Sequence, residues 1–366
     1  MRNSSSASRI YALFIGVFMA VTASAAIADD DGLTARAQAL LHEQFAADGP
    51  GAAVALLQNG KPLLITAVGL ADIKNHTALN SESVFDLASV SKQFTAASIL
   101  RLAQEKQLEL DAPVRRYLPD FAVQRKGREI TVSDLLHHVS GLASYTSDEF
   151  REGDKAFARL TTETQLRWLN GTTPRRSPGQ QFEYNNSGYA LLALIIERVS
   201  GMPYSDFVTT QLFKPVGMDH TQVLDRLGKR IAGGVRGYTT NDGTPNSSFV
   251  ATQITGDGNI YSSMNDLLAW CHALDGSTIL SPESKRKMWS NGHLDSGKPI
   301  NDEGDGYGLG WFVGSDASYV FHSGTWDGTA TYLRHDIRRK LWVIVLSNDE
   351  DADVATIADG LLGLVE

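Results

Sequence analysis

The chain has 366 residues, with 33 Lys and Arg against 42 Asp and Glu and a formal net charge of −9. Hydrophobic residues make up 42% and charged residues 20%, a globular balance that excludes disordered, collagen-like and coiled-coil chains. The acidic surplus leaves no electrostatic footprint for nucleic acid and little pull toward anionic lipid.

Arg2 and Arg9 flank a polar start, Ile10 to Val21 is an apolar run of 12 residues, and small residues lead to Ala26-Ile27-Ala28. That pattern predicts a secretory signal peptide over residues 1–28, cut after Ala28. The product is then periplasmic or secreted, 338 residues long, with 31 basic against 42 acidic residues and a net charge of −11. The apolar run is shorter than the ~18 residues of a spanning helix, and no Cys follows it, so no stable membrane anchor is expected after cleavage. Cys271 is the only cysteine, which rules out an intramolecular disulfide, and its apolar flank Leu267 to Trp270 predicts an inert core thiol. There is no H-E-x-x-H or other zinc spacing, so neither metal nor cofactor is expected.

In chain order, Leu33, Ala37, Leu40, Leu41 and Phe45 recur at helical spacing. Asn59-Gly60 between the runs Ala52–Gln58 and Pro62–Val68 predicts a hairpin. Val84-Phe85 leads into a helix expected from about Ser89 to Gln107. Thr131 to Asp134 caps a helix stopping near Gly141, and Thr161 to Asn170 forms another, closed by Gly171. Pro178-Gly179 marks a turn. An apolar helix over Ser187–Val199 ends at Ser200-Gly201, and one more follows Pro203. Thr221 to Gly258 is rich in Gly, Thr, Asn and Asp and predicts long loops with short strands. Tyr307–Val313, Tyr319–His322, Thr329–Arg334 and Leu341–Leu346 read as strands, the last apolar throughout and suited to a centre covered on both faces. Ala352–Val365 closes the chain as a helix. The first and last parts are expected to pair into one sheet, with the middle as a helical insertion.

Ser89-Val90-Ser91-Lys92 is an S-x-x-K. Positions i and i+3 share a helix face, which sets an amine beside a hydroxyl that needs a neighbour to take its proton; partial desolvation lowers a lysine pKa toward that task. A second S-x-x-K, Ser284 to Lys287, lies in a cationic stretch and reads as surface. Tyr184-Asn185-Asn186 offers a phenol that acts as a base if cationic neighbours lower its pKa, and an amide that can hold a substrate amide. Read alone, it is a turn with a buried Tyr and a helix cap. His322-Ser323-Gly324-Thr325 follows an apolar strand, with Gly324 allowing a substrate backbone to lie close; read alone, it is a strand ending at a turn. His137 and His138 fit packing or capping. Gly256 to Asn259 lacks the Lys-Ser/Thr of a phosphate loop and reads as a tight turn near a cleft.

The ordered set S-x-x-K, Y-x-N, H-x-G, at separations of roughly 95 and 140 residues, resembles the serine β-lactamase and DD-peptidase superfamily, in its class C β-lactamase-like branch. The segments FDLASVSKQFTA (Phe85–Ala96), LLHHVSGL (Leu135–Leu142), FEYNNSGYALLALIIERVSG (Phe182–Gly201) and FHSGTWDG (Phe321–Gly328) are similar to family segments, and the resemblance runs from about Leu33 to the end. It implies an α/β (α+β) fold: an antiparallel sheet flanked by helices plus a helical subdomain, in one β-lactamase-related domain over 29–366. The sheet subdomain would take about 29–110 and 300–366, the helical one about 111–299, with the site between them. The resemblance makes Ser89 the acylated nucleophile, with Lys92 and Tyr184 sharing proton transfer and the choice of base open. Asn186 would hold the substrate amide. The oxyanion would lie between the N–H groups of Ser89 and Thr325, where a donor is worth about 3–4 kcal/mol.

His322 departs from the Lys of the K-T-G motif. With an ordinary pKa of ~6.5 it is expected to be partly charged near neutrality. Together with Gly324 and Thr325 it resembles the H-x-G of certain DD-carboxypeptidases and D-amino-acid peptidases. The activity implied is acyl-enzyme hydrolysis of a small amide or ester. D-Ala-D-Ala-type peptides come first, carboxylic esters second, and a non-catalytic penicillin-binding-like protein is the rival. The expected partner is a small-molecule or peptide substrate, with no nucleic acid. Nothing in the sequence sets the oligomeric state.

Overall fold

Successive side chains of a strand point to opposite faces of its sheet, so a strand apolar at both parities has to be covered twice. That condition organises the computed structural model, which describes residues 31–123, 126–147, 160–241, 244–250 and 252–366. The leader expected over 1–28 lies outside the described residues.

Helix α1 (Asp31–His42) precedes the hairpin β1 (Ala52–Gln58) and β2 (Lys61–Val68). Asn59 and Gly60 close it with φ of 51° and 73°, the left-handed pair this turn needs. Short strands β3 (Leu70–Asp72) and β4 (Thr77–Ala78) lead to β5 (Val84–Asp86), a single 3₁₀ turn over Ala88–Ser91, and α2 (Lys92–Gln104). Helices α3 (Val132–Leu136), α4 (Thr162–Asn170), α5 (Asn186–Ser200) and α6 (Tyr204–Val208) follow, with β6 (Gln222–Val223), β7 (Tyr238–Asn241), β8 (Thr244–Ser247) and β9 (Ile260–Ser263) after them. Then come α7 (Met264–Asp275), α8 (Pro282–Met288), β10 (Gly306–Tyr307), β11 (Phe312–Val313), β12 (Tyr319–Trp326), β13 (Thr329–Asp336), β14 (Leu341–Ser347) and α9 (Val354–Gly363).

The main sheet is antiparallel, in the order β10-β11-β12-β13-β14-β1-β2. The first and last strands in chain order, β1 and β14, therefore pair within it, with Val54 opposite Val345. Val54, Leu56, Val343 and Val345 pack under α1 and α9 with Leu41, Ile357 and Leu361. The alternate set, Ala53, Ala55, Trp342 and Ile344, joins the larger core with α2, α5 and α7. Every residue of β14 is buried, as the apolar run predicts. A second sheet, β5-β9-β6, stands beside the helices, and α5 packs against α2, α3, α4 and α6. Among the described residues no helix is long and apolar enough to cross a membrane.

Several boundaries differ from the sequence expectation, each for a local reason. Ser89 lies in the 3₁₀ turn, and the α-helix starts only at Lys92. It stops at Gln104 rather than Gln107, and Lys106 turns to φ 59° just beyond. The helix capped reciprocally by Thr131 and Asp134 ends at Leu136, and His138 takes φ 58°. Tyr307–Val313 is two short strands, because Gly310 at φ 75° lets the Gly308 N–H return to the Trp311 carbonyl. Strand β12 does not stop at His322; it pairs with β13 without a break to Trp326.

Ile344 is fully buried in the doubly covered strand. Ile344→Ala is expected to lower unfolding free energy by about 3 kcal/mol. Urea denaturation measures this, and a loss below that of a surface substitution would contradict the double-layer packing.

Candidate active site

The site begins with a bend. Ala88 has φ 46°, a left-handed conformation rare in a residue with a Cβ. Asp86 Oδ1 accepts the Ala88 N–H at 2.9 Å, the Leu87 carbonyl accepts the Val90 N–H at 3.1 Å, and Ser91 Oγ accepts the Ile260 N–H at 3.3 Å. Leu87, Ala88, Val90 and Ser91 are buried, and the bend turns Ser89 out of them toward a cavity of about 390 Å³. That volume suits a small ligand.

Lys92 lies one turn on and is fully buried. Its Nζ donates to Ser89 Oγ at 3.0 Å and to the Asp257 carbonyl at 2.8 Å. It sits 4.9 Å from the centre of the Tyr184 ring. Burial pushes the amine down to about 8, against the opposing pull of Asp257. Burial pushes the Tyr184 phenol far above its ordinary value, the Ser89 hydroxyl working the other way. The phenol is therefore protonated at neutral pH, and the amine is the group near its titration point.

Asn185, at the N-cap of α5, accepts the Gly188 N–H at 2.9 Å, which leaves its neighbour Asn186 free to line the cavity. Asn186 Nδ2 donates to Thr146 Oγ1 at 3.0 Å, and its buried Oδ1 has no protein partner among the described residues.

His322 requires a correction. It is buried, its Nδ1 donates to the Ser323 carbonyl at 2.6 Å, and Nε2 therefore accepts from the Tyr307 hydroxyl at 3.2 Å. Burial, then Lys92, push it down to about 3. The imidazole is neutral, not partly charged, because an aromatic wall of Tyr307, Tyr184 and Phe312 removes it from water.

At Gly324 a Cβ would fall 2.5 Å from the Leu87 carbonyl oxygen and 2.9 Å from the Ser89 nitrogen, so only glycine lets β12 lie against the bend. Thr325 shares the cavity wall with Ser89. All seven residues singled out in the sequence thus converge: Ser89, Tyr184, Asn186, His322 and Thr325 on the wall, Lys92 beneath Ser89, and Gly324 behind it.

Two further residues contribute that the motifs did not single out. Asp257 holds Lys92 through its carbonyl and accepts the Tyr145 hydroxyl at 2.5 Å. The turn around it matched expectation, but a backbone acceptor leaves no residue-type signal. His138 fits the packing role expected of it and does more. Its Nδ1 accepts the Asn185 N–H at 3.0 Å, its carbonyl accepts the Glu183 N–H at 2.9 Å, and its ring lies 4.3 Å from that of Tyr184. The histidine therefore grips Tyr184 from both sides in sequence. The second S-x-x-K behaves otherwise: Lys287 pairs with Glu283, and Ser284 receives a hydrogen bond from Ser281.

The β-lactamase family model matches residues 36–365. The chain belongs to the β-lactamase family. Within that family of β-lactamase-like serine hydrolases, it is 32% identical to penicillin-binding protein 4* of Bacillus subtilis over 80% of its own length. It is 29% identical to protein flp of Staphylococcus aureus over 82%. It spans 67% and 59% of the lengths of those two relatives. The structure is similar to that of a D-amino acid amidase of Ochrobactrum anthropi, with a TM-score of 0.78 and 25% identity, covering 91% of this chain and 98% of the amidase.

The close approach at Gly324 has a measurable consequence for this β-lactamase-family site. Gly324→Ala is expected to cost about 2 kcal/mol through overpacking against Leu87 and Ser89. A chemical-denaturation midpoint equal to that of the parent protein would contradict the contact.

Proposed function

We propose that this chain is a serine hydrolase that works through an acyl-enzyme on small amides and esters, with D-alanyl-type acyl donors first and carboxylic esters second. The observation that carries the reading is the Lys92 amine, held near its titration point and 3.0 Å from a serine hydroxyl presented on a strained bend. Names among the relatives and neighbours, a penicillin-binding protein and a D-amino acid amidase, point the same way. The predicted leader supports a periplasmic or secreted location.

The chemistry follows from the geometry. With Lys92 neutral, the Ser89 hydroxyl donates its proton to Nζ as Oγ attacks the carbonyl carbon. The oxyanion is received by the N–H groups of Ser89 and Thr325. Asn186 Oδ1 accepts an N–H of the acyl donor. As the tetrahedral species collapses, the leaving nitrogen or oxygen takes a proton from the Tyr184 hydroxyl, and the Lys92 ammonium restores it to the phenolate. Water then attacks the acyl ester with Lys92 accepting its proton; as the ester C–O bond breaks and the acid leaves, Lys92 returns that proton to Ser89 Oγ. Lys92 is the general base in this scheme, since Tyr184 is protonated in the resting site. A protein that only binds peptides has no need of this arrangement.

A base acts in its deprotonated form, so kcat/KM for an N-acyl-D-alanine nitrophenyl ester is expected to rise with pH to a plateau above about 8. A profile that falls through that range would assign the required form to the ammonium and overturn the role of Lys92. Ser89→Ala and Lys92→Ala are each expected to lose about 10³-fold or more in kcat. Intact mass spectrometry should show an acyl or fluorophosphonate adduct on the parent protein and none on Ser89→Ala. Turnover that survives both substitutions contradicts the reading.

A further inference from the structure

We infer that the cavity selects acyl compounds whose leaving group carries no negative charge, neutral apolar amides and esters, over those that end in a carboxylate. The inference deepens the proposed function and rests on the same acyl-enzyme site.

The argument is one of missing and misplaced charge. Among the described residues that line the cavity there is no Lys or Arg, and the ionisable acids are Asp86 and Asp257. The nearby cation, Lys92, is fully buried beneath Ser89, with its Nζ directed at Ser89 Oγ and the Asp257 carbonyl. The residue best placed to receive a carboxylate, His322, has both ring nitrogens engaged, Nδ1 with the Ser323 carbonyl and Nε2 with the Tyr307 hydroxyl. As a neutral ring with its single N–H already donated, it has neither charge nor proton left for a substrate anion.

Asp86 adds repulsion. It is half-buried on the cavity wall, its Oδ1 turned to the Ala88 N–H, and Asp327 stands close enough to act on it as a like charge. A carboxylate brought into this cavity leaves water for a wall that, among the described residues, offers it no Lys or Arg and the two carboxyl groups of Asp86 and Asp257, which is a penalty rather than a contact. The wall also offers apolar surface in Ile254, Phe312 and Trp326. Just outside, Phe249 is 64% exposed, beside Val250, whose carbonyl accepts the Trp326 indole N–H at 3.1 Å. A neutral, apolar leaving group fits both features.

The test uses three acyl donors that share one scissile bond: N-acetyl-D-alanyl-D-alanine, its C-terminal amide and its C-terminal methyl ester. The amide and the ester are expected to react with kcat/KM at least 10-fold above the free acid. Asp86→Asn keeps an oxygen for the Ala88 N–H and removes the charge, and is expected to narrow that ratio several-fold. Equal or better turnover of the free acid overturns the inference while leaving the acyl-enzyme reading intact. Should none of the three, nor the nitrophenyl ester, acylate Ser89 by intact mass, it is the acyl-enzyme reading that fails. The rank order of the three donors decides the matter even if Asp86→Asn does not fold.

Discussion

A lysine amine taken wholly out of water has to find hydrogen-bond partners, release its proton, or do both. At position 92 it finds two acceptors and its hold on the proton weakens, and much of the surrounding architecture exists to permit this. The Asp257 carbonyl that receives Nζ belongs to a turn built for that position. Gly256 at φ 100° sits against the backbone of Tyr189, where a Cβ would not fit, and Asn259 Nδ2 ties the turn to the carbonyls of Thr252 and Ile254. Thr95, one turn along α2 from Lys92, donates to the Gly256 carbonyl at 2.6 Å. The chain then runs directly into β9, which pairs with β5, the strand that leads into the Ser89 bend. Both partners of the amine are therefore positioned by one three-stranded sheet.

The backbone carbonyls that lead into the bend are also held from the large sheet, since buried carbonyls need donors. Two threonines of β13 supply them. Thr329 Oγ1 donates to the Asp86 carbonyl at 3.0 Å and Thr331 Oγ1 to the Leu87 carbonyl at 2.9 Å. They are two residues apart, so they share a face of the strand, and Gly324 on the neighbouring strand lies opposite Thr331. The large sheet and the helical layer are thus joined at the serine. The strain at Ala88 persists because the contacts on either side of it leave the chain no easier path.

How much of this was legible follows from what kind of signal each feature leaves. The apolar run Leu341 to Leu346 announced a doubly covered strand because both parities were hydrophobic. Ser89-Lys92 stood apart from Ser284-Lys287 by its apolar flank, and that difference is the one that buries Lys92 and leaves Lys287 to Glu283. The continuation of β12 past His322 was hidden, since Ser-Gly-Thr is a weak strand composition and pairing to β13 decides it. The φ of Ala88 carried no glycine to betray it. Asp257 acts through a carbonyl every residue possesses. The neutrality of His322 depends on rings that arrive from positions 184, 307 and 312, and a local reading of the motif cannot see them.

Those rings also decide which group in the site carries the mobile proton. Lys92, His138 and His322 share one buried volume, and each cation there raises the cost of the next. His138 is held far below its ordinary value by burial and by Lys92 and His322, and His322 by burial and Lys92. The imidazoles start near 6.5 and the amine near 10.5. Under a common burden the amine is the last to surrender its proton, and it stops at about 8 while both rings are already neutral. The histidines then serve as fixed donors and acceptors, His138 gripping the Tyr184 segment and His322 bridging Ser323 and Tyr307. A lysine at position 322 would place a second ammonium in that volume and press Lys92 lower still. The neutral ring therefore spares the amine a second neighbouring cation, and it leaves the described wall of the cavity without a Lys or Arg.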